Sequence, residues 1–169
     1  VIIGGGAAGF FAAITAAETA GRARVPVLVT ILEASDALLK KVRISGGGRC
    51  NVTHNIFEVR EFVKRYPRGY KELIGPFQRF QAADTVAWFK ARGVTIVPEE
   101  DGRMFPSTDK SETIIDCFLK AAADAGVVVR TGCGVQSVIA LEGGAFRVLV
   151  KGSGARLKKS SADEEKSRR

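Results

Sequence analysis

The chain has 169 residues, 46% of them hydrophobic, with 26 Lys/Arg against 18 Asp/Glu. That length suits one domain with a real core, and no apolar run approaches the roughly 20 residues of a membrane span. The net charge of +8 does not imply nucleic acid, because residues 151–169 hold half of the excess and the remainder is spread without a compact basic block.

Val1-Ile2-Ile3 is a short apolar, β-branched run, followed directly by Gly4-Gly5-Gly6-Ala7-Ala8-Gly9 and a small-residue helical pattern, Phe10 to Ala20. Strand, glycine turn and helix in that order give the G-x-G-x-x-G spacing of Gly4, Gly6 and Gly9 its meaning as a dinucleotide fingerprint. Gly4 lets the chain turn sharply, Gly6 places no Cβ between backbone and pyrophosphate, and Gly9 lets the helix pack on the strand. The helix opens at Ala7 and Ala8 with free N–H groups toward the phosphates, and is expected to stop at Gly21 as its C′ residue. Val27 to Leu32 is a continuous apolar run, read as a strand buried on both faces. It ends at Glu33, placed to accept from a ribose 2′-hydroxyl and to repel a 2′-phosphate. Residues 1–33 thus predict a βαβ start that admits FAD or NAD.

Residues 34–44 read as a loop carrying Lys40 and Lys41. Ser45-Gly46-Gly47-Gly48-Arg49-Cys50-Asn51-Val52-Thr53 follows, and three consecutive glycines cannot order cheaply. Such a loop suits close backbone approach or positive φ angles against a polar, flat, partly anionic ligand. Arg49 would add a cationic fork, and Asn51 and Thr53 hydrogen-bonding groups. The competing readings are a surface ion pair for Arg49 and inert packing for Cys50.

Residues 57–89 read as helical, interrupted at Gly75-Pro76, with a further helix near Ala82–Arg92 stopping at Gly93. Phe62, Phe77, Phe80, Trp88 and Phe89 at this spacing read as core before pocket lining. Val94–Val97 and Arg103–Phe105 flank an Asp-Gly turn, a hairpin signal. Asp109 and Glu112 resemble a capping box for a helix burying Ile114, Ile115, Phe118 and Leu119 and ending at Gly126. Val127–Arg130 suits a third parallel strand, and Val135–Leu141 with Phe146–Val150 a second hairpin. From Gly152 the composition predicts disorder.

One histidine, His54, excludes a multi-histidine metal site, and no metal is expected. Cys50, Cys117 and Cys133 form no C-x-x-C pair, which points to a reducing compartment, the cytoplasm or an organelle. The absence of an initiator Met, and a first strand starting at residue 1, predict further sequence upstream.

The opening VIIGGGAAGF, the strand end LEAS, the segment KKVRISGGGRCNVTHN and the later EEDGRMFPS together resemble FAD-dependent oxidoreductases of the aminoacetone-oxidase and bile-acid-reductase-like type. The resemblance covers about residues 1–150 and implies a Rossmann-like FAD-binding domain there: a parallel sheet, a helical insertion and a β-meander, in an α/β chain that is incomplete, with a basic tail over 151–169. It implies FAD as cofactor, NAD(P)H as a candidate electron donor, and flavin-mediated hydride transfer on a small-molecule substrate. Gly4, Gly6, Ala7, Ala8 and Gly9 would lie under the pyrophosphate and Glu33 on the adenosine ribose. Lys41, Ser45, Gly46, Gly47, Gly48, Arg49, Cys50, Asn51 and Thr53 would follow the ribityl chain and flavin, with Val135 against adenine and Arg103 lining the pocket. His54 stands where the family pattern has Asn. Family members are considerably longer, so substrate identity is expected to lie in sequence this chain lacks. The alternatives are an NAD-binding dehydrogenase domain, for which the SGGGRCN loop has no role, and a truncated, non-catalytic fragment. No catalytic residue is assigned.

Overall fold

A computed structural model describes residues 1–151; the expected disorder beyond Gly152 lies outside the described residues. Strand β1 (Ile2–Ile3) leads through the glycine turn into helix α1 (Ala7–Arg22), and the chain returns as β2 (Thr30–Leu32). The other strand of this sheet, β6 (Val128–Arg130), comes much later, giving the parallel order β1-β2-β6. Register aligns Ile2 with Ile31 and Ile31 with Val129, and these three join one core cluster. Phe10, Ala13 and Ile14 of α1 are fully buried in it, beside Ile114, Ile115 and Phe118 of α6 (Ser111–Asp124). Both helices lie in connections that step the same way across the sheet, β1 to β2 and β2 to β6, so right-handed crossovers put them on one face.

Between β2 and α6 lies a longer excursion. Helix α2 (Lys40–Ile44) and a tight turn over Ser45–Gly48 precede β3 (Thr53–His54). Short helix α3 (Val59–Phe62), α4 (Tyr70–Arg79) and α5 (Ala82–Lys90) come next, then β4 (Ile96–Pro98) and β5 (Arg103–Pro106). Strands β3, β5 and β4 form an antiparallel sheet in that order. The Asp-Gly turn forms as expected, with Gly102 at φ +82° and its N–H donating to the Glu99 carbonyl (2.9 Å). Strands β7 (Val135–Ala140) and β8 (Phe146–Val150) pair antiparallel as a hairpin.

Several local expectations fail for identifiable reasons. Helix α1 runs through Gly21 to Arg22, and Arg24, at φ +56°, takes the left-handed position. The Val25 N–H then reaches the Ala20 carbonyl (2.9 Å), so Arg24 serves as C′ where glycine is commoner. Only Thr30–Leu32 of the apolar run pairs into the sheet, and Leu28 is 72% exposed. Pro76 sits inside α4, and the chain breaks between Phe62 and Tyr70 instead. Lys41 stands on a helix, not in a loop. The anticipated capping box does not form: α6 starts at Ser111 with no side-chain cap, since Asp109 pairs with Arg49 and Glu112 with Arg43 (2.8 Å). Leu119 is 38% exposed, on the outer side of that helix.

The tightest point of the fold is where α1 meets the end of β1. A Cβ on Gly9 would lie 1.9 Å from the Gly4 carbonyl oxygen, and backbone cannot yield as a flexible side chain can. Gly9→Ala is therefore expected to cost about 3 kcal/mol or more, the upper range for overpacking. A urea denaturation midpoint within error of the parent protein would contradict this.

Candidate functional site

The glycine turn is held from three sides. Gly4, at φ +101°, donates its N–H to the Leu32 carbonyl (2.8 Å). Gly5 donates to the Glu33 carboxylate (2.7 Å) and its carbonyl accepts from Leu39 N–H (2.9 Å). A Cβ on Gly5 would meet Leu38 at 2.8 Å and Glu33 at 3.1 Å, so this glycine, given no role by its place in the fingerprint, is fixed by close approach. Gly6 differs. It has ordinary extended backbone (φ −88°) and a Cβ there would meet nothing within 4 Å. Neither packing nor conformation demands a glycine at Gly6, and its bare Cα faces open space at the N-terminus of α1.

Glu33 closes the second strand. One carboxylate oxygen accepts from Gly5, and the other from the Ser35 N–H (2.9 Å) and hydroxyl (2.7 Å). These donors, the Ser35 and Gly5 amides foremost, hold its carboxyl below the usual range. Its backbone carbonyl accepts from Cys133 N–H (2.8 Å), and Gly134 lies against Ala34. Val135, next along the chain, is thereby brought beside the end of β2.

On the other side of the turn opens a cavity of about 600 Å³. Ala7, Ala8, Phe11 and Ala12 of α1 line one wall, and Lys41, Val42, Ser45, Cys50, Asn51 and Val52 another. Phe80, Thr85, Phe89, Ile114 and Phe118 complete it. Six sequence-predicted residues (Ala7, Ala8, Lys41, Ser45, Cys50 and Asn51) thus share one cavity. Of the aromatics, Phe80 and Phe89 line it, while Phe62 and Phe77 pack with each other and Tyr66 elsewhere. Phe11, Ile114 and Phe118 carried no sequence signal for a cavity beyond being apolar; only the absence of bulk at Ala7, Ala8 and Ala12 hinted at room.

The triple-glycine loop takes positive φ at Gly46, Gly47 and Gly48 (+58°, +70°, +90°), and Cys50 follows at +63°. Gly46 is obligatory on space as well, since a Cβ would lie 2.9 Å from both the Asn51 amide nitrogen and the Phe105 ring. Cys50 is buried and its thiol is pushed up by desolvation, the condition of a packing residue rather than a reactive one. Arg49 does not face the cavity. It stacks on Phe105, 4.1 Å from guanidinium to ring centroid, and pairs with Glu99 and Asp109. Arg103 pairs with Asp101 (2.6 Å) and does not line the cavity either. Thr53 belongs to β3 opposite Met104, and His54 packs under Gly102. Among the described residues, no group of three or more His, Cys, Asp or Glu is placed to hold a metal ion, and no helix is long and apolar enough to cross a membrane.

A family model described as the HI0933-like protein Rossmann domain matches residues 1–161. The chain belongs to that family. The family is of the Rossmann, FAD-binding oxidoreductase type. Two curated relatives are similar at the sequence level. The 3-dehydro-bile acid delta(4,6)-reductase of Clostridium scindens is 28% identical over 137 residues, 81% of this chain and 32% of that protein. The ribosomal RNA dihydrouridine synthase of Escherichia coli is 28% identical over 138 residues, 82% of this chain and 32% of that protein. The chain therefore spans about a third of these relatives' length. Among solved structures, THI4 of Thermovibrio ammonificans shares the fold, with a TM-score of 0.52 at 17% identity over 87% of this chain and 43% of that one.

The lowered Glu33 carboxyl fixes the sign of a pH effect. A group depressed on folding contributes stability above its unfolded pKa, and loses it as pH falls through the folded value. The stability difference between the parent chain and Glu33→Gln should be full at neutral pH and shrink from about pH 4.5, the ordinary value, downward. Urea midpoints at several pH values check this, and a difference that grows on acidification would contradict it.

Proposed function

We propose that residues 1–150 are the FAD-binding part of an oxidoreductase that adds hydrogen across a carbon–carbon double bond conjugated to a carbonyl. The observation that carries the cofactor reading is the bare Gly6 Cα at the start of α1, between Glu33 and the cavity. A glycine that nothing in the protein requires is what close approach by a pyrophosphate would require. Gly4, Gly9 and the α1 N-terminus would then hold the phosphates, with Glu33 on the ribose and the backbone near Val135 on adenine. Lys41, Ser45, Cys50 and Asn51 would meet the ribityl chain and ring at the cavity wall. Gly46, Gly47 and Gly48 shape that wall, while Arg49 and Thr53 support it from behind. The apolar walls of Phe11, Phe80, Phe89 and Phe118 exclude water from a flat ring system.

A bound flavin supplies the hydride chemistry, and the protein supplies orientation and electrostatics. The reaction class is supported by the two relatives. One name describes reduction at ring double bonds of an oxidised bile acid. The other describes formation of dihydrouridine, which is uridine with hydrogen added across its ring double bond. Both need a hydride at one carbon and a proton at its neighbour, balanced by oxidation of the donor. NAD(P)H is the proposed source of those electrons. The proposed substrate carries a conjugated carbonyl, and its selection is assigned to sequence that the longer relatives carry.

The test is the visible absorption spectrum of the purified chain after soaking in excess FAD and desalting. Near-stoichiometric flavin bands are expected, lost in Gly6→Val and Glu33→Ala, with Gly6→Ala folding within about 0.5 kcal/mol of the parent, as for substitutions that touch nothing. A protein that is folded by circular dichroism yet colourless would overturn the claim that these residues hold the cofactor by themselves.

A further inference from the structure

Arg49 stands in the middle of the most distinctive stretch of the sequence, yet its side chain turns away from the cavity. The guanidinium lies over the face of Phe105, its Nε donates to Asp109 and its Nη2 to Glu99. Glu99 follows β4 directly and Asp109 follows β5, so the two carboxylates grip from both ends of the same hairpin. Phe105 is itself only 1% exposed, and the edge of its ring lies against Gly46. One ring is thus held between the first glycine of the loop and the arginine that ends it.

This placement meets a need the loop creates. Four of the five residues Gly46–Cys50 have positive φ, and glycine-rich backbone loses the most conformational freedom when ordered. Within the loop the Arg49 and Cys50 N–H groups donate to the Ser45 carbonyl and the Ser45 hydroxyl to the Val42 carbonyl (3.1 Å), bonds that are local to the turn; toward the hairpin, the Val52 N–H donates to the Met104 carbonyl on β5 (2.8 Å). We propose that Arg49 is a positioning residue, a latch that fastens the Ser45–Cys50 turn to the β4–β5 hairpin and so holds Ser45, Cys50 and Asn51 on the cavity wall. It acts through the loop and not by touching the bound group. Planarity matters as much as charge, because the stack and the two carboxylates use the guanidinium's face and its separate N–H edges.

The part of the proposal that concerns cofactor affinity rests on the FAD reading; the part that concerns loop order does not. The experiment therefore has two arms on the 169-residue chain: amide hydrogen exchange without ligand, and FAD binding followed by flavin fluorescence. The variants are Arg49→Leu, Arg49→Lys and the pair Glu99→Gln with Asp109→Asn. Exchange at Gly46–Asn51 is expected to rise at least tenfold in Arg49→Leu and in the carboxylate double variant, with α1 amides unchanged and Arg49→Lys intermediate. FAD affinity should fall tenfold or more in both, and combining Arg49→Leu with the carboxylate changes should add little further.

A direct contact predicts the reverse for the double variant, since releasing the cation from its carboxylates would leave FAD binding equal or tighter. That result overturns the latch, and so does unchanged exchange at Gly46–Asn51 in Arg49→Leu. If the parent chain takes up no FAD, the cofactor reading fails on its own, and the exchange arm still decides whether Arg49 orders the loop.

Discussion

The structure depends on a contact too close for any side chain. The first turn of α1 rests on the carbonyl of Gly4, at a distance that leaves no room for a Cβ on Gly9. Once that contact is made, the N-terminus of the helix sits over the end of the parallel sheet. Loop residues 33–39 then fold back on the turn, with Glu33 accepting from Gly5 and Leu39 donating to it. The peptide groups that the helix leaves unpaired therefore emerge at one edge, beside Gly6, the fingerprint glycine that has open space before it and an ordinary φ of −88°. Packing energy and ligand geometry are set by the same six residues.

A second structure faces this edge. The Ser45–Cys50 turn is shaped by positive φ angles and backed by the β4–β5 hairpin. Neither helix propensity nor an alternating apolar pattern would keep it in place. It is kept by tertiary ties to Phe105, Met104, Glu99 and Asp109, all distant in sequence. The cavity between turn and helix is mostly apolar, with Lys41, Ser45 and Asn51 as its polar members together with Thr85. That composition suits a flat ring with a few polar edges.

The parallel start was legible because its signals are local. The strand, glycine turn and helix follow without interruption, and Gly102 and Gly126 mark real turns at φ +82° and +71°. The identity of the family was legible from the SGGGRCN stretch. What failed were readings that took a residue's chemistry for its local use. Gly21 looks like a helix stop, but Arg24 takes the left-handed position because the chain continues for one more half-turn. Asp109 and Glu112 have capping spacing, but each is drawn to an arginine from an earlier part of the chain, Arg49 and Arg43. For Arg49 the sequence left a ligand contact and an ion pair both open; the structure shows ion pairs, with partners 50 and 60 positions away, where no local pattern reaches. The roles of Phe11, Ile114 and Phe118 in the cavity were hidden for the same reason, since an apolar residue lining a cavity and one filling a core look alike in sequence.

The proposed binding path runs without a break from Glu33, over the glycine turn, to the cavity. It is tested most directly by titrating an isotope-labelled chain with AMP and with FAD and following its amide NMR signals. AMP is expected to shift Gly4–Gly9, Glu33–Ser35 and Gly134–Val135, and FAD to shift these and also Lys41–Asn51, with the far end of the β7–β8 hairpin unmoved by either. Shifts confined to surfaces away from the glycine turn, or an FAD response that leaves Lys41–Asn51 untouched, would contradict it.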